Sequence, residues 1–115
     1  MLPKNLRLKK AGDFRKIYKD GLAVVNPYIV VRFIPSNQAR VSRIGFAVSK
    51  KIGKAVERNR VKRILREACR RQCDLLPEGS DMVFIARPKI KGIGYALVEK
   101  QIALILRQSL NKAKP

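Results

Sequence analysis

Histidine and tryptophan are absent from this chain of 115 residues, and cysteine occurs only twice. The missing histidine removes the side chain that most often serves as a general acid or base near neutral pH. Cys69 and Cys73, without histidine, cannot supply the four ligands of a structural zinc site. We therefore predict that both are reduced structural thiols of an intracellular protein.

Acidic residues are also scarce, with 8 Asp and Glu against 27 Lys and Arg. They are scattered, and no pair has the spacing that two-metal cleavage of a phosphodiester requires. The chain has no phosphate-binding GxxxxGK[ST] loop, no GxGxxG and no GxSxG. We predict that the protein contributes neither a catalytic residue nor a metal site, so that any reaction it takes part in is performed by something it binds.

Long apolar runs are missing as well. No segment approaches the roughly 20 apolar residues that a membrane-spanning helix needs, and the first ten residues contain no apolar core of a secretory signal. The length suits one domain with a single core, so residues 1–115 are predicted to form one domain. A cytoplasmic location and no membrane partner are expected.

Positive charge is what the chain has in excess. The formal net charge is +19 and the isoelectric point is about 10.9. A balance of this kind indicates a polyanionic partner, with nucleic acid favoured over an anionic membrane surface.

The charge is densest from Lys50 to Arg71, where ten Lys or Arg stand against two Glu. Apolar residues recur there at helical spacing from Val61, which predicts an amphipathic helix with one face in the core. At 100° per residue, the inward sector contains Val61, Ile64, Leu65, Ala68 and Gln72, and the opposite sector contains Asn59, Lys62, Arg63, Arg66 and Arg70. Like charges at this spacing repel one another, so the outer face is predicted to bind a polyanion.

The remaining pattern predicts the order helix, strand, strand, helix, strand, helix. The first helix carries Phe14, Ile17 and Tyr18 and ends near Gly21. Strands are predicted at 28–34, 43–49 and 82–86, the last apolar on both faces and therefore central. A final helix from 95 to 112 turns Val98, Ile102, Ile105, Leu106 and Ser109 inward. The fold class is α+β, a small sandwich of helices on a mostly antiparallel sheet.

Aromatic side chains add a second candidate site. Tyr28 is predicted on the sheet face opposite Ile29, beside Val30 and Arg32, and Tyr18 lies near the basic N-terminal segment. RNA-binding sheets stack unpaired bases on such rings. Phe14 fits a core position better, because its spacing to Ile17 is helical.

Several of these motifs together resemble the protein subunit of bacterial ribonuclease P. They are the run Arg43 to Lys51 (RIGFAVSKK), then Gly53, then Ala55 to Arg63 (AVERNRVKR), with the triplet Arg58-Asn59-Arg60 at its centre. The landmarks Leu8-Lys9-Lys10, Asp13-Phe14 and Phe84 to Arg87 also match. The likeness extends over nearly the whole chain.

The resemblance implies a fold whose basic helix lies in a left-handed β-α-β crossover, against the usual right-handed preference. It implies a partnership with a catalytic RNA and with precursor tRNA, whose 5′ leader the holoenzyme removes by metal-dependent hydrolysis. Magnesium would be held mainly by the RNA, the protein alone would be inactive, and no protein partner would be required.

Site residues follow from the same resemblance. The RNA-binding set would be Lys50, Lys51, Lys54, Arg58, Asn59, Arg60, Lys62, Arg63 and Arg66. A cleft for the single-stranded leader would be lined or bordered by Phe14, Tyr18, Tyr28, Val30 and Arg32. Arg32 replaces the hydrophobic or aromatic residue of the family at that position, so a phosphate contact is expected there instead of stacking.

Other functional classes share part of the pattern. A ribosomal or ribosome-assembly protein would have similar charge and size, and it would cosediment with ribosomal particles. An autonomous nuclease would cut precursor tRNA without added RNA. A helix-turn-helix protein would need a second short helix before the basic one, and a strand is predicted there.

Overall fold

The computed structural model describes residues 11–34, 43–72 and 80–113. Within them three helices and four strands follow in the order α1 (Ala11–Asp20), β1 (Leu22–Val25), β2 (Ile29–Ile34), β3 (Arg43–Ala47), α2 (Ala55–Arg71), β4 (Asp81–Ala86) and α3 (Tyr95–Ala113). Short 3-10 turns at Lys50–Ile52 and Pro88–Ile90 come before α2 and α3. The predicted strands and helices all exist, and β3 ends at Ala47, two residues earlier than predicted.

The four strands form one sheet in the order β1-β2-β4-β3. The β1/β2 and β2/β4 pairs are antiparallel, and β3/β4 is parallel. Because β3 and β4 are neighbours and α2 lies between them in the chain, the basic helix forms the predicted β-α-β crossover. The α+β class and the mostly antiparallel sheet are confirmed, and the left hand of the crossover stays a prediction from the resemblance.

Strand β4 is central, as its two apolar faces predicted. Met82 and Phe84 lie in a large cluster with the inward faces of α2 and α3, and Val83 lies in a smaller cluster with Ile17 of α1. The sheet therefore has helices on both faces: α2 and α3 cover one, and α1 packs on part of the other. For the second cluster, the sequence predicted only that Phe14 and Ile17 of α1 would pack in the core.

The inward residues of α2 and α3 are largely the predicted ones. Val61, Leu65 and Ala68 of α2 are buried, as are the five predicted positions of α3, whereas Ile64 packs only at the edge of the cluster. Ser109, the one polar member of the α3 stripe, donates its hydroxyl to the carbonyl oxygen of Ile105 at 2.8 Å. Cys69 is also buried, and the prediction for Cys73 lies outside the described residues.

Strand β1 was not predicted. Its four residues are apolar without an alternation that could be read as a strand, and the preceding helix ends at Asp20. Gly21 makes the immediate reversal possible, because a Cβ there would collide with the backbone carbonyl oxygens of Ile17 and Phe33. Tertiary contacts hold the strand in place: it pairs with β2, and Lys112 of α3 donates to the carbonyl oxygen of Ala23 at 2.7 Å.

Candidate nucleic-acid interface

The outward side of α2 forms a cationic groove of about 540 Å³. Val56, Asn59, Lys62, Arg63 and Arg66 line it, and we call this set the outer groove. Four of the five belong to the predicted RNA-binding set, and their spacing of three or four residues places them on one side of the helix. Within the described part of the chain, Lys62, Arg63 and Arg66 form no ion pair, so their charges remain available to a ligand.

The triplet Arg58-Asn59-Arg60 does not present one surface. Each successive residue is rotated by about 100° around the helix axis, so only Asn59 lines the outer groove. Arg58 lies one turn before Val61 on the side that faces the core, and it is half-buried. Its Nε is buried and has no hydrogen-bond partner among the described residues. Arg60 is exposed and does not line the groove, although it is four residues after Val56 and three before Arg63 and therefore borders it.

The cations at the C-terminal end of α2 contact other side chains of the protein. Arg70 donates to both carboxylate oxygens of Glu67, at 2.6 and 3.1 Å, and this hydrogen bonding lowers the pKa of Glu67 to about 2. The guanidinium of Arg71 lies 5.8 Å from the centre of the Tyr95 ring on α3, a cation–π distance. The predicted outward residue Arg70 therefore stabilises the helix surface, and the open part of the cationic face is the N-terminal two-thirds of α2.

A second group of cations gathers where β3 and β4 end. Since parallel strands end at the same edge of a sheet, the turn at Lys50–Ile52 and the turn at Pro88–Ile90 come into contact. The exposed cations there are Lys50, Lys51, Lys54, Arg87, Lys89 and Lys91, which we call the sheet-end patch. The first three were predicted. The other three were missed, although the parallel order implied by a β-α-β crossover was a signal that could have placed them beside the Lys50–Lys51 turn.

Glu57 joins the two halves of this patch. Its Oε2 lies 3.2 Å from Nζ of Lys91, and the carboxylate rests against Gly53. Gly53 has φ of 149°, and a Cβ at that position would overlap the Glu57 carboxylate. A glycine is therefore required both by the backbone angle and by the acid that packs over it.

Three of the residues predicted to line the leader cleft are on α1 and on the sheet face against which α1 packs. Phe14 and Val30 are half-buried there, and Phe14 packs against the small cluster of Ile17 and Val83. The Tyr18 side chain is 40% exposed at the rim. Partial burial raises the pKa of the Tyr18 phenol, and the charge of Arg32 offsets part of that rise.

Arg32 has a structural task that the sequence did not predict. Its Nη2 donates to the carbonyl oxygen of Tyr18 at 2.6 Å, and Tyr18 is in the last turn of α1. A cation at this end of a helix interacts favourably with the unpaired carbonyls. The Nε of Arg32 is buried without a hydrogen-bond partner among the described residues.

Tyr28 does not follow the strand alternation that placed it beside Val30. The Asn26 side-chain oxygen accepts hydrogen bonds from the backbone N–H groups of Tyr28 and Ile29, both at 2.8 Å. This Asx turn bends the chain before β2 begins, so the pleat does not extend to Tyr28. Its half-buried ring packs against the large cluster on the α2/α3 side, and its predicted position on the opposite sheet face is wrong.

Acidic side chains are not gathered anywhere in the described ranges. No three or more His, Cys, Asp or Glu residues there lie close enough to hold a metal ion. The buried acid Asp81 accepts two hydrogen bonds from Arg43, at 2.9 and 2.7 Å, which occupies its carboxylate. Among the helices described, none is both long and apolar enough to cross a bilayer.

Comparison with known proteins gives a consistent result. The family model described as Ribonuclease P matches residues 2–110. A ribonuclease P protein component from Clostridioides difficile is 43% identical over 103 residues, covering 89% of this chain and 90% of that relative. The one from Caldanaerobacter subterraneus is 41% identical over 109 residues, covering 95% of this chain and 93% of that relative.

Solved structures agree with these relatives. A mutant Staphylococcus aureus RNase P protein, described as defective in mRNA degradation activity, superimposes with a TM-score of 0.86 at 33% identity, covering 93% of this chain and 90% of its own. The RNase P protein from Thermotoga maritima gives a TM-score of 0.77 at 38% identity, covering 88% of this chain and 96% of its own.

Proposed function

Because the chain belongs to the ribonuclease P protein family, we propose that its separate basic surfaces and its cleft divide the contacts with the catalytic RNA and with precursor tRNA. Family membership makes the chain a subunit of the ribonuclease P endoribonuclease holoenzyme. RNA binding and tRNA processing follow from the family, and the ribonuclease P RNA is its partner.

The observation that carries the division of contacts is the separation of the cations. The outer groove and the sheet-end patch share no residue, because the groove is on the outward side of α2 and the patch is at the turns that follow β3 and β4. We assign the outer groove, with Asn59, Lys62, Arg63 and Arg66, to the catalytic RNA. The sheet-end patch lies at the end of β4, the strand that packs against α1, and it is assigned to the phosphates of the substrate.

We assign the 5′ leader of precursor tRNA to the surface between α1 and the sheet. Phe14, Tyr18 and Val30 offer an apolar and aromatic surface of the kind that receives unpaired bases. Arg32 is committed to the Tyr18 carbonyl through Nη2, so its role toward the leader is to fix the C-terminal turn of α1 as one wall of the cleft. Its Nη1 is left as a donor for a leader phosphate.

Magnesium is the metal that leader removal requires in this family. The available carboxylate ligands indicate whether the protein or the RNA holds it. Magnesium takes oxygen ligands, usually carboxylates and phosphates. The residues that the structure describes bring no such group of carboxylates together, so these side chains do not fit a protein-held magnesium centre. We propose that the catalytic RNA holds the ions and that the protein positions RNA and substrate. The protein would act in the bacterial cytoplasm.

Reconstitution tests the proposal. The protein is combined with a bacterial ribonuclease P RNA, and release of the 5′ leader from precursor tRNA is measured at limiting magnesium. We expect little cleavage by the RNA alone at that concentration, none by the protein alone, and efficient cleavage by both. Cleavage by the protein alone would support the autonomous nuclease, and no stimulation by the protein would contradict the assigned role.

A further inference from the structure

Val56 is the most exposed of the large apolar side chains in the described residues, with 78% of its surface accessible. It lies in the first turn of α2. Valine is a weaker helix former than the residues usually found on an exposed helix surface, and a side chain this exposed contributes little by burial. Neither helix propensity nor packing therefore explains it.

A single exposed valine is ordinary on a protein surface, so its surroundings carry the argument. Val56 lines the outer groove together with Asn59, and the cations Lys62, Arg63 and Arg66 line the rest. Arg66 is ten positions after Val56, which corresponds to about 15 Å along the helix axis at 1.5 Å per residue. None of the described acidic residues lines the groove, so it has an apolar and amide end and a purely cationic end.

This arrangement selects among the ways in which RNA can be bound. A base-paired A-form helix presents phosphates, 2′-hydroxyls and base edges to a protein surface, and its base faces are stacked on one another and inaccessible to a side chain such as valine. An unpaired nucleotide presents an apolar base face, hydrogen-bonding base edges and flanking phosphates. Val56 matches the apolar base face, and the amide of Asn59 matches the base edge because it both donates and accepts hydrogen bonds. The three cations match the phosphates.

We propose that the outer groove binds an unpaired RNA nucleotide, with its base against Val56, its base edge at Asn59 and its neighbouring phosphates on Lys62, Arg63 and Arg66. The inference rests on the proposed function, in which this side of α2 meets RNA. It adds that binding has an apolar component there and that the triplet Arg58-Asn59-Arg60 contributes to the groove through its asparagine alone.

Salt dependence separates the apolar contact from the ionic ones. The affinity of the protein for a bacterial ribonuclease P RNA is measured at several KCl concentrations for the wild type, Val56→Ala and Arg63→Ala. Loss of a phosphate contact lowers the slope of log affinity against log salt by about 0.7–0.9. Loss of an apolar contact displaces the line without changing its slope, and for Val56→Ala we expect a loss of about three- to tenfold at every salt concentration.

Two further variants keep the test specific. Val56→Ile retains an apolar side chain and is expected to bind at least as well as the wild type. Leu104→Ala, at a position of α3 that is 43% exposed, is the matched control and is expected to leave RNA affinity unchanged. Thermal unfolding of each variant shows whether the fold is intact, and Val56→Ala is expected to unfold at the wild-type temperature or slightly above it, because alanine is the better helix former.

The outcomes distinguish failure of this inference from failure of the proposed function. Salt-dependent binding by the wild type, with no effect of Val56→Ala either on binding of the catalytic RNA or on precursor binding by the holoenzyme, would overturn the nucleotide site alone. No binding by the wild type would overturn the proposed function. A loss measured with the catalytic RNA places the nucleotide in that RNA. A loss measured only in precursor binding by the reconstituted holoenzyme places it in the substrate. A base protected from dimethyl sulfate by the wild type and exposed with Val56→Ala would identify the nucleotide.

Discussion

Gly53 is the position where the fold of the basic segment depends most directly on one residue. Its φ of 149° with ψ of −160° lies in a backbone region that is essentially restricted to glycine. The Glu57 carboxylate occupies the space that a Cβ would need and forms the ion pair with Lys91. Gly53→Ala therefore imposes backbone strain and also displaces Glu57.

The two effects can be given magnitudes separately. The backbone conformation costs an L-residue about 1–3 kcal/mol. The Glu57 carboxylate is at the end of a flexible side chain and can move away from the new Cβ. This movement breaks the exposed ion pair with Lys91, which is worth about 0–1 kcal/mol. Together they predict that Gly53→Ala lowers the free energy of unfolding by about 1–4 kcal/mol, or the unfolding temperature by roughly 4–16 °C for a domain of this size.

Two other glycines, in the turn before α3, provide controls. Gly92 has φ of 80°, and a Cβ there would meet no atom within 4 Å, so Gly92→Ala tests strain without a collision. Gly94 has neither a positive φ nor a neighbour within 4 Å. It is at the N-cap of α3, where glycine is preferred to alanine, and this opposes the gain through the unfolded state, so Gly94→Ala is expected to change the free energy of unfolding by less than about 1 kcal/mol. The expected order of unfolding temperatures, from highest to lowest, is Gly94→Ala, then Gly92→Ala, then Gly53→Ala.

A double-mutant cycle isolates the contact between Gly53 and Glu57. In a Glu57→Ala background the collision and the ion pair are both gone, so Gly53→Ala should cost only the backbone strain, and the coupling should be about 0.5–1 kcal/mol. Urea unfolding gives the four free energies. Equal stability of the Gly53→Ala and Gly94→Ala proteins would refute the reasoning about the backbone, and zero coupling would refute the role assigned to Glu57.

Three further predictions concern charge. If RNA binding neutralises about six phosphates, affinity for the catalytic RNA should fall about a thousandfold between roughly 50 and 200 mM salt, and a flat salt profile would contradict an electrostatic interface. The pKa of Glu67 is lowered from 4.5 to about 2, so its stabilising effect is fully present above the unfolded-state pKa and is lost as the pH falls toward the folded-state value. The difference in unfolding temperature between the wild type and Glu67→Gln should therefore shrink as the pH falls over that range. A constant difference would argue against the Arg70 pairing. Arg32→Met keeps the apolar stem but removes the donor to the Tyr18 carbonyl, so it should cost about 1 kcal/mol in urea unfolding, and an unchanged midpoint would count against this capping contact.

Local periodicity predicted well wherever one face of an element is buried. The inward stripes of α2 and α3 and the central position of β4 could be predicted because apolar spacing reports directly on burial. The same rule failed at Tyr28, where the hydrogen bonds to the Asn26 side chain bend the backbone and end the alternation. It also failed at β1, whose four residues are too few to show a period and are held by β2 and Lys112.

The candidate site divides in the same way. Asn59, Lys62, Arg63 and Arg66 could be grouped from sequence, because they lie on one side of one helix. Arg87, Lys89 and Lys91 could not be joined to the Lys50–Lys51 turn by any local rule, because their proximity depends on the parallel pairing of β3 with β4. Arg32 could be predicted to leave the core, but its partner is set by where α1 ends over the sheet.

The sequence by itself determined the kind of partner and the helix that meets it, because net charge, helical spacing and residue types do not depend on distant contacts. The family resemblance in the motifs from Arg43 to Arg63 narrowed that partner to one catalytic RNA. Only the tertiary structure decided which cations share a surface, and it showed that Arg58, Asn59 and Arg60 face three directions. The physical reason is that helix geometry sets the angle of each side chain around its own axis, whereas strand pairing and helix docking decide what lies beside it.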